Sequence, residues 1–328
     1  MKLKKIDLAI IGGGVGGFSA AMYAGRLGIK SHIFDAKMGG TIALAGTVEN
    51  YPGFKSISGM DLSNTLKEHA KVFNPEFIMQ GVVKIEKTSN GFHIYTKKEG
   101  YHAKAVILAT GTEWRKLKIP GEKELTGKGV HYCALCDGFF YKGKTVAVIG
   151  GADSAVKEAT YLASLAKKVY IIYRKEQIHP EPITLKKMSK LKNIEIIKNT
   201  NLKKIIGKNK LEKVKLDNHY KNSDELILDG VFIDIGHIPM TGLSKELGLK
   251  LNKKNEIITN KSTQTNVEGV FAAGDVTDSP FKQAIIAASE GSTAAFSAYQ
   301  YISKGPIKKD YGKSKVIVKK NMKGGKLN

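Results

Sequence analysis

Cysteine is nearly absent from this chain: 328 residues hold two, Cys133 and Cys136, with two residues between them. A secreted disulfide scaffold needs several pairs, so that class is excluded and a local redox or metal pair in a reducing compartment is expected. Arginine is almost as scarce, with only Arg26, Arg115 and Arg174 among 53 cations. Base readout leans on arginine forks and single-strand binding on interleaved aromatics, and the chain concentrates neither. The formal charge of +23 therefore reads as scattered surface lysine, with no nucleic-acid partner expected. No run of about 18 apolar residues occurs, so no membrane span is expected. Met1 to Lys5, followed by apolar residues, imitates a signal peptide, but Asp7 and the five glycines from Gly12 to Gly17 interrupt it. The expected location is cytoplasmic.

What is present is a repeated nucleotide-binding pattern. The apolar run Ile6 to Ile11 predicts a strand, Phe18 to Leu27 a helix ended by Gly28, and Ile29 to Phe34 a second strand ending in Asp35. Gly12-x-Gly14-x-x-Gly17 sits at the first turn, and Asp35 follows 18 residues after its last glycine. Glycines there let the backbone approach a pyrophosphate, the helix N-terminus favours the anion, and the carboxylate accepts from a ribose hydroxyl. A second copy begins 138 residues later: a strand over Thr145 to Ile149, the loop Gly150-Gly151-Ala152-Asp153-Ser154-Ala155, a helix over 156–166, and a strand over 169–173. Its middle glycine is Ala152, and Arg174 and Lys175 stand where an acid would favour a free ribose hydroxyl. Cations at that place accommodate a 2′-phosphate, so this second site leans towards NADP.

Ala105 to Gly111, with Thr110 and Gly111 at its turn, and Gly269 to Asp275 read as strands that return to the first unit. The expected fold class is α/β, with two Rossmann-like dinucleotide-binding domains, the second inserted into the first. The boundaries expected are 1–115 and 244–304 for the outer domain, 116–243 for the inserted one, and 305–328 for a basic, disordered tail. Lys116 to Gly121 and Pro239 to Leu243 are paired proline-bearing linkers that suit a hinge.

Taken in order, Gly12 to Gly17, Val48-Glu-Asn-Tyr-Pro-Gly53, Ala109-Thr-Gly111, Cys133-Ala-Leu-Cys-Asp-Gly-Phe-Phe140, Gly150 to Ala155, Gly236-His-Ile-Pro239 and Gly274-Asp275 with Lys282-Gln-Ala284 resemble the low-molecular-weight thioredoxin reductases. The resemblance covers about residues 5 to 303. It implies FAD in the outer domain, NADPH in the inserted one, and electrons passing from NAD(P)H through FAD to a Cys133–Cys136 disulfide and on to thioredoxin. By position it implies that Gly12, Gly14 and Gly17 cradle the FAD pyrophosphate and that Asp35 meets the adenosine ribose. Gly39, Gly40 and Thr41 would continue the FAD stretch, and Asn50 would lie by the flavin. Asp275, after Gly274, would bind the ribityl chain, with Lys282, Gln283 and Ala284 against the ring. Gly150, Gly151, Asp153, Ser154, Arg174, Lys175, His179 and Gly236 fall at the NADPH site. Cys136 would face the flavin, Cys133 would attack the partner, and Asp137 would exchange protons with the pair. A homodimer and a rotation of the inserted domain are implied in the same way.

This chain departs from the family at the 2′-phosphate cluster. Arg174 is kept, Lys175 lacks the bidentate fork, and His179 is at most a weak cation at neutral pH. With Ala152 also altered, NADH, a reduced deazaflavin or a ferredoxin stand as alternative donors, and a glutaredoxin-like protein or a small-molecule disulfide as alternative acceptors. A zinc site at His131, Cys133, Cys136 and Asp137 is not expected, because no second ligand pair exists. His131 itself reads as a surface or interface residue near the redox pair.

Overall fold

The structure is a computed structural model that describes residues 3–303; the tail expected over 305–328 lies outside the described residues. Strand Lys4–Ile11 runs down the middle of a seven-stranded sheet because its Leu8 to Ile10 segment is buried on both faces. It pairs in parallel with Ser31–Phe34 on one side and Gly100–Leu108 on the other. Val270–Ala272 adds to Gly100–Leu108, and an antiparallel hairpin, Val82–Thr88 with Gly91–Thr96, extends that edge.

Helices Val15–Arg26 and Ala284–Ile302 cover one face of this sheet. Their small residues, among them Ala20, Ala21, Ala24, Ala294 and Ala298, are fully buried and let the two backbones meet. A Cβ on Gly291 would stand 2.1 Å from the Gly16 carbonyl oxygen, so the crossing requires glycine.

The second unit has its own sheet and core. Five parallel strands lie in the order Val130–His131, Gly230–Ile233, Thr145–Ile149, Lys168–Ile172 and Ile194–Ile197. A three-stranded antiparallel sheet, Leu202–Ile206, Lys213–Tyr220 and Ser223–Ile227, packs beside it. Its buried clusters draw on residues from Leu125 to Ile233, and those of the first sheet on residues before Ala109 and after Leu243. The chain passes between them on a short antiparallel ribbon, Thr112–Trp114 against His237–Pro239.

The mixed α/β architecture agrees with the sequence expectation, and strand Thr145–Ile149 falls where it was placed. Both nucleotide helices begin three residues earlier than predicted, at Val15 and Asp153, because the last three residues of each loop, Val15 to Gly17 and Asp153 to Ala155, already belong to the first helical turn. The return strand is Gly100–Leu108 rather than 105–111, since it pairs with the hairpin as well as with Lys4–Ile11.

Candidate active site

The first glycine loop is shaped by close approach. Gly12 has φ +114°, and a Cβ there would lie 2.1 Å from the Ala109 carbonyl oxygen; one on Gly17 would lie 1.9 Å from the Gly12 carbonyl oxygen. Gly14 caps the helix with no side-chain partner, and no acid occupies the first turn. The helix thus carries no acid or side-chain cap at its own start, which suits a pyrophosphate. Asp35 ends its strand beside this loop, with Oδ2 accepting from Gly13 N at 2.7 Å and Oδ1 from Lys37 N at 3.0 Å. Gly39 docks on the same loop through its N–H to Gly13 O, and Gly40 lies against Gly14, with Thr41 beginning the next turn.

The other expected outer-domain residues converge from distant segments. Asn50 Nδ2 donates to Gln283 Oε1 at 3.0 Å, across 233 residues of sequence. That contact takes the Gln283 side chain away from the helix it precedes, so the helix starting at Ala284 is also uncapped by side chains and free of first-turn acid. Lys282 Nζ lies 3.3 Å from Asp275 O and also contacts Thr277 O and Glu256. Burial raises the Asp275 carboxyl above its ordinary value, and Lys282 opposes the shift. Glu290, which no motif signals, accepts from Gly274 N at 2.7 Å and so fixes the turn that carries Asp275. Thr110 and Gly111, expected among the cofactor-binding residues, also bond to the returning linker, through Thr110 Oγ1 to Met240 O and Met240 N to Gly111 O.

Cys133 and Cys136 form a disulfide. Cys133 is only 6% exposed and its Sγ rests 3.7 Å from Leu44 O of the outer domain, while Cys136 is exposed. Leu135 reaches Gly46 of the same outer segment, and Lys187 pairs with Glu49 at 2.6 Å. Asp137 closes the short helix Ala134–Asp137, and its Oδ2 lies 3.0 Å from His131 Nδ1. His131 is not at the surface, as its sequence context suggested: it is 8% exposed and stacked on Phe232, because Val130–His131 is a sheet strand paired with Gly230–Ile233. Beneath the pair, Glu158 Oε1 accepts from Ala134 N at 3.2 Å, and its Oε2 is buried without a partner. Burial, with the Asp234 charge adding to it, pushes the Glu158 carboxyl up to about 8.

The second glycine loop differs from the first. Gly150 has φ +148° and meets Asp234 O, and a Cβ on Gly151 would strike the Tyr173 ring at 2.6 Å. His179 N donates to Gly151 O at 2.8 Å, and its Nδ1 lies 3.2 Å from the Tyr173 hydroxyl. Arg174 and Lys175 are exposed at the strand end, Ser154 is exposed in the first turn, and Gly236 receives Arg115 N at the ribbon. Here an acid does occupy the helix start: Asp153 accepts from Glu181 N at 2.9 Å and pairs with Lys157 at 2.6 Å. Burial works to raise the Asp153 carboxyl, but Lys157, Thr184 and the Glu181 N–H outweigh it and hold it below the ordinary range. Among the described residues no group of three or more His, Cys, Asp or Glu side chains could hold a metal ion.

These residues fit the groups that the sequence implies, the first loop by its bare helix N-terminus and the second by its exposed cations. Comparison with known proteins agrees. The family model described as pyridine nucleotide-disulphide oxidoreductase matches residues 6–291. Thioredoxin reductase of Bacillus subtilis (strain 168) is 39% identical over 302 residues, covering 91% of this chain and 95% of that protein. A 34.2 kDa protein in the rubredoxin operon of Clostridium pasteurianum is also 39% identical, over 91% of this chain and 98% of its own length. The Lactococcus lactis thioredoxin reductase structure in the FR conformation superposes with a TM-score of 0.87 at 34% identity, covering 91% of this chain and 99% of that one. With two nucleotide folds, an inserted Cys-x-x-Cys disulfide and these relatives, the chain belongs to the pyridine nucleotide-disulphide oxidoreductases, on their thioredoxin reductase branch.

Proposed function

We propose that the protein is an FAD-dependent thioredoxin-disulfide reductase that takes its electrons from NADPH. The observation that carries this reading is the Cys133–Cys136 disulfide of the inserted unit, seated against Leu44 and Gly46 of the FAD-type unit and followed directly by Asp137. Bound FAD would supply a two-electron carrier between the nicotinamide and that disulfide. The net reaction is NADPH, a proton and thioredoxin disulfide giving NADP⁺ and thioredoxin dithiol.

The residues divide the work. Gly12, Gly14, Gly17, Gly39, Gly40 and Thr41 hold the FAD phosphates, Asp35 the adenosine ribose, and Asn50, Asp275, Lys282, Gln283 and Ala284 the flavin end. Gly150, Gly151, Asp153, Ser154, Arg174, Lys175, His179 and Gly236 line the NADPH site. Cys133 attacks the partner disulfide through a mixed disulfide, and Cys136 resolves it. Cys133 cannot do so while it sits under Leu44, so the inserted unit must turn out about the ribbon of 112–114 and 237–239. We assign 1–115 and 244–304 to the FAD domain and 116–243 to the NADPH domain, in a cytoplasmic homodimer. The absence, among the described residues, of a helix able to cross a membrane is compatible with that location.

A second donor reading has one specific support. Asp153 places a carboxylate at the helix start where a dinucleotide pyrophosphate would bind, and like charges repel there. A reduced ferredoxin or deazaflavin donor would need no such site, and NADH would need no 2′-phosphate cations.

Anaerobic titration of the visible flavin spectrum with NADPH and then NADH tests cofactor and donor together. Bleaching by NADPH at lower concentration than NADH supports the reading; no bleaching by either sinks the nicotinamide site. With the wild-type enzyme, thioredoxin must be reduced; Cys136→Ser must lose that activity and keep donor-driven bleaching.

A further inference from the structure

Asp137 does not stand alone beside the redox pair. Its Oδ2 lies 3.0 Å from His131 Nδ1, and His131 Nε2 lies 2.7 Å from the Tyr141 hydroxyl. Both His131 and Tyr141 are buried, and the imidazole is clamped between Phe232, stacked at 5.3 Å, and Tyr141, edge-on at 5.4 Å. The ring therefore has one orientation, and both of its nitrogens are committed. With Asp137 ionised, Nδ1 carries a proton towards the carboxylate, and the phenol donates to Nε2. Burial raises the Tyr141 phenol to about 12, with Asp137 and then Asp229 adding to the effect, so it remains a proton donor throughout the working range. The charged and titratable groups around the imidazole are thus Asp137 from the Cys-x-x-Cys helix, Tyr141 from the following turn, and Asp229 and Lys144 beyond the phenol.

We propose that His131 is a positioning residue for disulfide exchange, holding Asp137 and sharing its proton through a Tyr141–His131–Asp137 relay. The inference rests on the reading of Cys133–Cys136 as the pair that exchanges with a partner disulfide. In that exchange the enzyme dithiol becomes a disulfide and the partner disulfide a dithiol. Two electrons and two protons pass from enzyme to partner, so no outside oxidant or acid is consumed. Asp137 takes the proton of an enzyme thiol as its thiolate attacks, and returns it to the thiolate that leaves the partner. The imidazole keeps the carboxylate turned inwards and shares the proton between those two events.

The test uses flavin-loaded enzyme pre-reduced with dithionite, which bypasses the donor, mixed in stopped flow with the aromatic disulfide 5,5′-dithiobis(2-nitrobenzoate) and separately with oxidised thioredoxin. Asp137→Asn is expected to slow exchange about 100-fold, the lower end of general acid–base effects. His131→Gln is expected to slow it about 10-fold in the wild-type background and less than twofold in the Asp137→Asn background. The Gln variant should also shift the acid limb of the pH–rate profile. Equal slowing in both backgrounds, or an unmoved acid limb, overturns the proposal, because a purely structural role would add independently. Tyr141→Phe, which keeps the ring and removes only the hydroxyl, should show the same dependence on Asp137 with a smaller effect, near threefold; independence from Asp137 counts against the relay. Coupling seen with the aromatic disulfide but no transfer to thioredoxin leaves the relay standing and overturns the partner assignment.

Discussion

Glu158 should make the fold less stable as pH rises, and Glu158→Gln should remove that penalty. Its Oε2 is buried without a partner, and its carboxyl is pushed from its ordinary 4.5 up to about 8 by burial and, secondarily, by Asp234. Below pH 4.5 the group is protonated in both folded and unfolded chains and contributes nothing. Between 4.5 and 8 the unfolded chain ionises while the folded one keeps its proton, so stability falls with rising pH. Above 8 both are ionised and the loss is complete. One pKa unit corresponds to about 1.4 kcal/mol, so at pH 7 the penalty is at most about 3 kcal/mol. Gln is close in shape, cannot ionise, and retains an oxygen for Ala134 N. Melting both proteins in flavin-loaded form from pH 4.5 to 9 reads the effect as the difference in Tm. At roughly 2 °C per kcal/mol for a chain of this size, the variant should gain up to about 6 °C at pH 7 relative to the difference at pH 4.5, with a plateau above 8. A difference that stays constant across the range would refute the reasoning.

Two further perturbations probe the connection between the units. Glu122 is 3% exposed and accepts from Leu117 N at 2.9 Å, Lys118 N at 2.5 Å and the Tyr132 hydroxyl at 2.8 Å, tying the linker to the residue before Cys133. Glu122→Ala removes the shared acceptor of three partly buried donors, a loss of about 1–3 kcal/mol, and a fall in Tm under 1 °C would show the clasp to be dispensable. Lys187 and Glu49 join the units by an exposed ion pair worth at most about 1 kcal/mol. Lys187→Ala should shift the balance towards the turned-out state by up to about fivefold, as 0.5 M salt should in the wild type. Trp114, the chain's one tryptophan, sits on the ribbon near Tyr132 and His237 and reports the shift by its emission; an unchanged spectrum under both treatments counts against the ion pair as a latch.

The parts of the site that were legible in the sequence are those whose geometry is local. Gly12, Gly14 and Gly17 announce a phosphate turn because the steric demand acts between neighbours and one adjoining strand, and Cys133 and Cys136 are close enough in sequence to pair within one helical turn. Asn50 and Gln283 were placed by resemblance alone; nothing in the composition of either segment indicates that they meet. Glu290, Glu158 and His131 were invisible for a related reason. Each is placed by a partner supplied by another element: Gly274 for Glu290, Ala134 for Glu158, and Phe232 with Asp137 and Tyr141 for His131. A histidine two residues before a cysteine carries no local sign of burial. Pairing Val130–His131 with Gly230–Ile233, a hundred residues on, puts its ring on Phe232 and turns both nitrogens to protein groups. The same sheet edge gives the partly exposed Asp137 its His131 partner, so the proton chemistry proposed for the cysteine pair depends on strand order as well as on the Cys-x-x-Cys-Asp motif. A substitution that disturbs the pairing of Val130 with Val231 should therefore alter disulfide exchange without touching any residue of the motif.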